Sequence, residues 1–380
     1  MQTTNMTTLQ LTLLKEHYIP DYAARYQAAG IAALLYDHRG WGSSDPQSES
    51  DWQFQHISVH QQANDYHDAV IFAQTLPGID PNRVAIWGIG HAGGASTIAA
   101  SKDPNIKAVI LDMPLLSGKR DAAGWPEGLL QKAWEERKAI DANPRTRRSF
   151  VKVWDDSQAE AEAPRNEILI HGDLPYGFIK GATERSSKAG TPWKNAMRLQ
   201  SLIDLEGVEP WEYMKQISPT PMLLVAAAID PLSGPIEAMR EAFAQAKEPK
   251  TLIELPKSHL DNYFSGFDEH LTSKIGWVKR TLQLRHGLGR LFIDQVLEQE
   301  LPLLRELSTQ LPGTLWYPLI DAIGTPSVCH LSVDWLRICW NRMFLHTQNN
   351  TLHTTIPFYY WVTPPIYYCK GSTKCLITYY

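Results

Sequence analysis

Residues 83–96 constrain the possible fold more than any other segment of this 380-residue chain. An apolar run at residues 84–87 leads into a glycine-rich turn at residues 88–94, and small residues follow. This order predicts a strand, a sharp turn and a helix, with the residue at position 90 raised above a parallel sheet. A reactive side chain usually stands at such a position, whereas this chain has Gly90. The sequence therefore predicts a site that lacks its usual reactive group.

Strands and helices alternate along the first three quarters of the chain. Continuous apolar runs, which are typical of strands buried on both faces, occur at residues 31–36, 106–111 and 221–230. Helical periodicity follows the first run at residues 61–76. The alternation predicts an α/β fold with a doubly wound, mostly parallel sheet.

One long segment, at about residues 115–215, interrupts this alternation. It is rich in Trp, Arg, Glu and Lys, so we expect a helical cap over the carboxyl edge of the sheet. The domain prediction is one α/β domain at residues 1–284, which includes the cap, and a C-terminal extension at residues 285–380. The end of that extension lacks acidic residues and a clear amphipathic period, so its structure is uncertain.

Composition excludes several classes of partner. The net charge of −5, without a basic run, gives no indication of nucleic-acid binding. No apolar stretch reaches the roughly 18 residues that a membrane-spanning helix needs. The N-terminus is polar and unlike a secretory signal, and an intracellular protein is expected. The four cysteines all follow residue 328 with spacings unlike a zinc site, so we expect no metal and no cofactor. The sequence does not indicate an oligomeric state.

Three loops carry the residues that are candidates for a chemical role. Gly90 lies in the glycine-rich turn, Asp230 directly follows an apolar strand, and His259 follows the short strand after that. Because the carboxyl ends of parallel strands meet at one edge of a sheet, we expect the three to lie close together. In this chain order the acid orients the imidazole, which then takes a proton from a nucleophile.

Each of these residues has more than one interpretation. Gly90 is either a lost or replaced nucleophile, or a glycine that a tight turn requires. The backbone N–H of His91 is a candidate oxyanion donor, and its imidazole is a base, a nucleophile or a gate at the pocket. Asp230 and His259 either activate water or abstract a substrate proton, or keep a hydrogen bond that only joins two loops.

Five parts of the chain together resemble a known family: residues 14–23, residues 36–45, residues 87–94, Asp230 and His259. The pattern covers about residues 13–284 and resembles fungal α/β-hydrolases of polyketide and host-selective toxin gene clusters, which include polyketide transferases. The resemblance implies an α/β-hydrolase fold and a small-molecule acyl ester or thioester substrate. It also implies a role in toxin biosynthesis and virulence, and a peroxisomal location. The chain ends in Ile-Thr-Tyr-Tyr without a peroxisomal signal, so the cytoplasm is the alternative location.

The sequence departs from the family at two places. Family members use a Gly-x-Ser-x-Ser-Gly-Gly turn, and here Gly90 and Ala92 replace both serines. No His-Gly loop, which would donate an N–H to the oxyanion, precedes residues 14–16. We therefore expect the leading strands to be missing, as in a shortened gene copy, and the sheet edge to be exposed or covered by the tail.

Three functions remain open on this evidence. The first is hydrolysis or transfer of an acyl ester or thioester, with His259 as base, Asp230 as its orienter and His91 as oxyanion donor. The second is a catalytically silent binding protein that keeps the pocket, which the glycine at position 90 favours. The third is a lyase or isomerase that uses the Asp–His pair as a base.

Overall fold

A computed structural model describes residues 2–8, 11–165, 167–191, 193–230, 232, 234–282, 366–370 and 374–378. For residues 2–8, 366–370 and 374–378 only the backbone is described. All of these residues belong to one compact unit, which comprises Met1–Leu284 and Thr363–Tyr380.

The described strands form one large sheet and one small ribbon. Eight strands pair in the order β10-β9-β2-β1-β3-β4-β7-β8, and only β10 runs antiparallel to its neighbour. The ribbon consists of antiparallel β5 and β6. The strands are β1 Gln2–Thr8, β2 Ala32–Leu35, β3 Ile79–Ile89, β4 Ala108–Asp112, β5 Phe150–Lys152, β6 Ala196–Arg198, β7 Met222–Ala227, β8 Lys250–Leu255, β9 Ile366–Lys370 and β10 Lys374–Thr378.

Helices cover both faces of the sheet, as the continuous apolar strands require. Strands β2, β4 and β7 are buried along their whole length. Helices α1 and α10 pack together on one side, and α2 and α3 pack together against β3. The helices are α1 Ile19–Ala28, α2 Val59–Thr75, α3 His91–Lys102, α4 Gly118–Ala122, α5 Leu129–Ala142, α6 Gln158–Glu162, α7 Asp173–Ala189, α8 Ser201–Glu206, α9 Ile236–Gln245 and α10 Phe267–Thr281.

The predicted interruption between β4 and β7 contains α4–α8, the β5–β6 ribbon and a short 3-10 helix at Pro210–Gln216. Two tryptophans connect this cap to the loop after β1. The Trp154 indole donates to the Thr12 hydroxyl at 3.1 Å, and the Trp193 indole donates to the Thr12 carbonyl at 2.8 Å. The cap is therefore fastened to the core beside the carboxyl edge of the sheet.

The expectation of missing leading strands needs a correction. Residues 2–8 form β1, a central strand that pairs with both β2 and β3. The segment is polar and threonine-rich, so it has no apolar signal, although β-branched threonine favours extended backbone. The far edge is covered by the C-terminal hairpin, because β9 pairs with β2 at residues 33–35.

Most of the predicted C-terminal extension, residues 285–365, lies outside the described residues. Its two described strands belong to the large sheet, so the segment at residues 366–378 is part of the α/β domain. The four cysteines are also beyond structural description, because side chains are not described there. Among the described helices, none combines the length and apolarity needed to cross a bilayer.

Candidate active site

The turn at Gly90 has the backbone of a nucleophile elbow. Gly90 joins β3 to α3 with φ 57° and ψ −119°, a conformation that side-chain-bearing residues adopt only under strain. Two hydrogen bonds fix the turn to the end of β4 and the chain after it. Gly90 N–H donates to the Asp112 carbonyl at 2.8 Å, and Leu115 N–H donates to the Gly90 carbonyl at 2.7 Å.

Two further glycines allow the tight approach of strand and helix. A Cβ on Gly88 would lie 2.0 Å from the Ser96 hydroxyl oxygen, and one on Gly93 would lie 2.7 Å from Pro114. Both positions therefore exclude any side chain. The elbow predicted from residues 83–96 is formed, and only the reactive side chain at position 90 is absent from it.

Asp230 and His259 meet as predicted. Asp230 follows β7, His259 follows β8, and the His259 Nδ1 lies 3.1 Å from the Asp230 carboxylate. The His259 side chain is 4% exposed and the Asp230 side chain is 2% exposed, so both are almost fully buried. The other carboxylate oxygen of Asp230 accepts the N–H of Leu232 at 2.8 Å, which fixes its orientation. With Nδ1 bound to the acid, Nε2 of His259 is the atom that can accept a proton.

One cavity of about 610 Å³ connects these parts. Its wall combines the elbow, the histidine loop, the loop after β1 and much of the cap. Most of the lining is apolar, including two tryptophans and several leucines, with a few polar side chains. Such a lining suits a largely apolar small molecule.

His91 is the first residue of α3 and also lines this cavity. Its N–H makes no backbone hydrogen bond with the described residues, as is usual at the start of a helix. Burial, helped by the charge of His38, lowers the pKa of its imidazole to about 3. The imidazole is therefore neutral at physiological pH, and its buried Nε2 lacks a partner among the described residues.

Serines near the site do not replace the missing nucleophile. Ser96 is fully buried and its hydroxyl donates to the Ala92 carbonyl at 2.6 Å. Ser258 lines the cavity, but its hydroxyl donates to Asp261 at 2.7 Å. Leu11 from the loop after β1 also lines the cavity.

The cap contributes four polar residues to the cavity that no sequence motif indicates, Arg120, Asp121, Arg165 and His171. Asp121 lines the cavity, and burial raises the pKa of its carboxyl to about 7, with Arg120 opposing and Asp230 adding to the increase. His171 also lines the cavity, and its Nδ1 lies 3.0 Å from Asp155. Neither Asp121 nor His171 belongs to a recognisable sequence motif. Their place on the cavity wall is therefore evident only from the folded cap.

The parallel sheet, the elbow and the Asp–His pair at its carboxyl edge define an α/β-hydrolase fold. A family model for serine aminopeptidases of type S33 matches residues 17–258, more than half of the chain. The chain therefore belongs to this hydrolase family.

Among characterised fungal proteins, the chain is similar to polyketide transferase grgF of a Penicillium species, with 29% identity over 274 residues. The match covers 70% of this chain and 84% of that protein. Thiohydrolase apmlB of Arthrinium phaeospermum is 28% identical over 243 residues, which cover 63% of this chain and 76% of that protein. These matches confirm the resemblance to fungal hydrolases of polyketide pathways.

Solved structures agree on the fold. The crystal structure of the α/β hydrolase GrgF from Penicillium sp. sh18 superposes with a TM-score of 0.57 at 24% identity. The structure of DcsB with a substrate analogue gives a TM-score of 0.58 at 24% identity. Each comparison covers 74% of this chain and 91% of the other protein.

Proposed function

We propose that this protein acts on an acyl ester or thioester in fungal secondary metabolism, and transfers the acyl group to water or to an acceptor hydroxyl. The observation that carries the proposal is the Asp230–His259 pair, which shares one apolar cavity with an intact elbow. The related polyketide transferase and thiohydrolase support the class of substrate.

Because Gly90 offers no nucleophile, the acyl group is transferred in a single displacement. His259 Nε2 takes a proton from water or the acceptor hydroxyl while that oxygen bonds to the acyl carbon. Asp230 holds the imidazole and stabilises the imidazolium. The N–H of His91 donates to the developing oxyanion. The carbon–sulfur or carbon–oxygen bond then breaks, and the leaving group receives the proton from His259.

The test is turnover of N-acetylcysteamine thioesters across a series of acyl chain lengths by the purified protein. We expect slow hydrolysis, since a complete serine triad contributes on the order of 10⁶ in rate. His259→Ala should reduce turnover by about 10²-fold or more, the usual contribution of a general base. His67→Ala, at an exposed position of α2, is the matched control and should keep wild-type turnover. No turnover of any member of the series would contradict the proposal.

A catalytically silent binding protein is the second candidate, and the absent side chain at Gly90 favours it. Gly90→Ser distinguishes the two. If the variant gains esterase activity and reacts with a serine-directed phosphonate, the acid, the histidine and the oxyanion donors are intact around the elbow. If both the wild type and the variant are inert, the silent protein is the better conclusion.

Three predictions from the sequence remain predictions: a lyase or isomerase reaction, a peroxisomal location and a contribution to virulence. A lyase or isomerase reaction has no support beyond the Asp–His pair itself. A peroxisomal location and a contribution to virulence rest on the family resemblance, and imaging of a fluorescent fusion beside a peroxisomal marker would check the location.

A further inference from the structure

A second aspartate–histidine pair lies in the cap, on the wall of the same cavity. His171 lines the cavity with its side chain 17% exposed, and its Nδ1 lies 3.0 Å from Asp155. The Asp155 side chain is completely buried. Burial of a carboxylate costs free energy unless hydrogen bonds compensate for the lost water. The complete burial of the Asp155 carboxylate therefore indicates a structural or a functional role for it.

The backbone around the pair is built to hold it. An isolated parallel bridge joins Trp154 to Ile170, so the residues that follow them, Asp155 and His171, lie side by side. The next residue, Gly172, has φ 120° and donates its N–H to the second Asp155 oxygen at 2.8 Å. One carboxylate thus binds both the imidazole and the backbone at the start of α7.

This arrangement determines which nitrogen of His171 carries the proton. A carboxylate accepts hydrogen bonds, so the hydrogen of a neutral imidazole resides on Nδ1. Nε2 then presents a lone pair. The Nε2 atom of His171 has no hydrogen-bond partner among the described residues. It is also not one of the buried atoms that lack a partner, so Nε2 is accessible from the cavity.

The surroundings of His171 on this wall are apolar. Ile170, Leu169 and Leu174 flank it along the chain, and Trp154 lies across the bridge. Arg120, Asp121 and Arg165 also line the cavity, but among the apolar neighbours of His171 an acceptor held in a fixed orientation recognises a ligand group that can donate a hydrogen bond, and discriminates against one that cannot.

We infer that His171, oriented by Asp155, is a specificity-determining residue that accepts a hydrogen bond from a hydroxyl group on the acyl chain of the substrate. The inference rests on the proposed acyl substrate and deepens it: the preferred chain is hydroxylated on the part that contacts the cap. His259 remains the residue of the reacting end, and His171 selects the chain.

Binding of amide analogues tests the inference without any turnover. The probes are N-acetylcysteamine-type amides of octanoic acid that carry a hydroxyl, a ketone or no substituent at successive carbons. Isothermal titration at pH 8 gives the dissociation constant of each. For at least one position, we expect the hydroxyl amide to bind the wild type roughly 2- to 10-fold more tightly than the ketone, the range that one net hydrogen bond supplies.

Three variants separate recognition from a structural role. His171→Phe should abolish the difference between hydroxyl and ketone. Asp155→Asn keeps the bond to Gly172 N–H, but its amide donates to Nδ1, so the proton moves to Nε2 and the preference for the hydroxyl should be lost, because hydroxyl and ketone oxygens both accept from Nε2–H. His171→Gln keeps an acceptor and should retain part of the hydroxyl preference. A merely structural pair would change the affinity for all probes together.

The outcomes are distinct from those of the catalytic assay. Equal binding of hydroxyl and ketone amides at every carbon, an unchanged preference in His171→Phe, or no binding of any amide would overturn the inference. Selective amide binding by a protein that leaves every thioester intact would support it while contradicting the proposed catalysis. Should His171→Phe fail to fold, the loss of the hydroxyl preference in Asp155→Asn decides.

Discussion

Gly90 keeps the backbone of an elbow whose reactive side chain is missing. The positive φ of 57° is costly for any residue with a Cβ, and other members of this fold accept that cost for a nucleophile. Glycine adopts the same turn without strain. With glycine at position 90 the turn lacks a nucleophilic side chain and its strain, while the hydrogen bonds around it are present.

The relief of strain at Gly90 is measurable. Gly90→Ala should lower the free energy of unfolding by about 1–3 kcal/mol, because alanine must adopt a conformation it disfavours. Urea denaturation measures this change. Gly177→Ala on α7 is the matched control: no atom lies within 4 Å of the added Cβ and φ is not positive there. It should be neutral or stabilising by up to about 1 kcal/mol. Equal stability of Gly90→Ala and wild type would show that the turn is relaxed.

Strand β4 is held under the elbow by a buried cluster of charges. The Asp112 carboxylate lies 2.5 Å from the Lys274 ammonium and 2.8 Å from His270, and it accepts the Trp87 indole N–H at 3.0 Å. Burial by itself would raise the pKa of Asp112, but the charges of His270 and Lys274 hold it below its ordinary value. The same residue accepts the N–H of Gly90, so this cluster of α10 and β4 supports the candidate active site.

Removal of Lys274 should leave the buried Asp112 carboxylate with only His270 and the Trp87 indole as partners. Lys274→Met preserves the volume of the side chain but should destabilise the protein by about 3–5 kcal/mol. The double variant Lys274→Met with Asp112→Asn should recover part of that loss. Arg280→Met, at an exposed position of α10, is the control and should change stability little. Unfolding curves that coincide for wild type and Lys274→Met would refute a stabilising role for the pair.

Buried neutral histidines should make the whole molecule sensitive to acid. Burial lowers the pKa of His17 to about 3, helped by the charges of Arg185 and Lys15, and His91 has a similarly low pKa. In the unfolded chain both return to about 6.5, so below that pH the unfolded state binds protons that the folded state does not. Stability should therefore fall as the pH decreases from 6.5 towards 3, by about 1.4 kcal/mol per pH unit for each histidine.

The raised pKa of Asp121 has the opposite effect on the pH dependence of stability, because the folded state then holds a proton that the unfolded state has lost. A comparison of two variants separates the contribution of His17 from that of Asp121. His17 binds Ser186, and either His17→Gln or Ser186→Ala breaks this contact. Only His17→Gln also removes the titrating group. Between pH 6 and pH 5, its stability should decline less steeply than that of Ser186→Ala, by about 1.4 kcal/mol per pH unit. Parallel declines in urea unfolding would exclude His17 as a source of the acid sensitivity.

The sequence predicted what depends on local pattern. Apolar runs and glycine spacing were sufficient for the parallel sheet, the elbow at Gly90 and the meeting of Asp230 with His259, because parallel strand order brings their ends together. It did not predict β1, whose residues are polar although the strand is central. It also did not predict the pair of Asp155 and His171, because their proximity arises from a bridge inside the cap rather than from any spacing along the chain.

The strand order has a consequence for biosynthesis. Strand β2 lies between β1 at residues 2–8 and β9 at residues 366–370, so one edge of the sheet is completed by a segment that is synthesised long after β2. Until then, β2 has an unpaired side that is open to other chains. Contacts between such distant segments slow folding, because a very long loop must close before they form. We therefore expect the nascent chain to depend on chaperone protection of β2 until residues 366–370 have been synthesised.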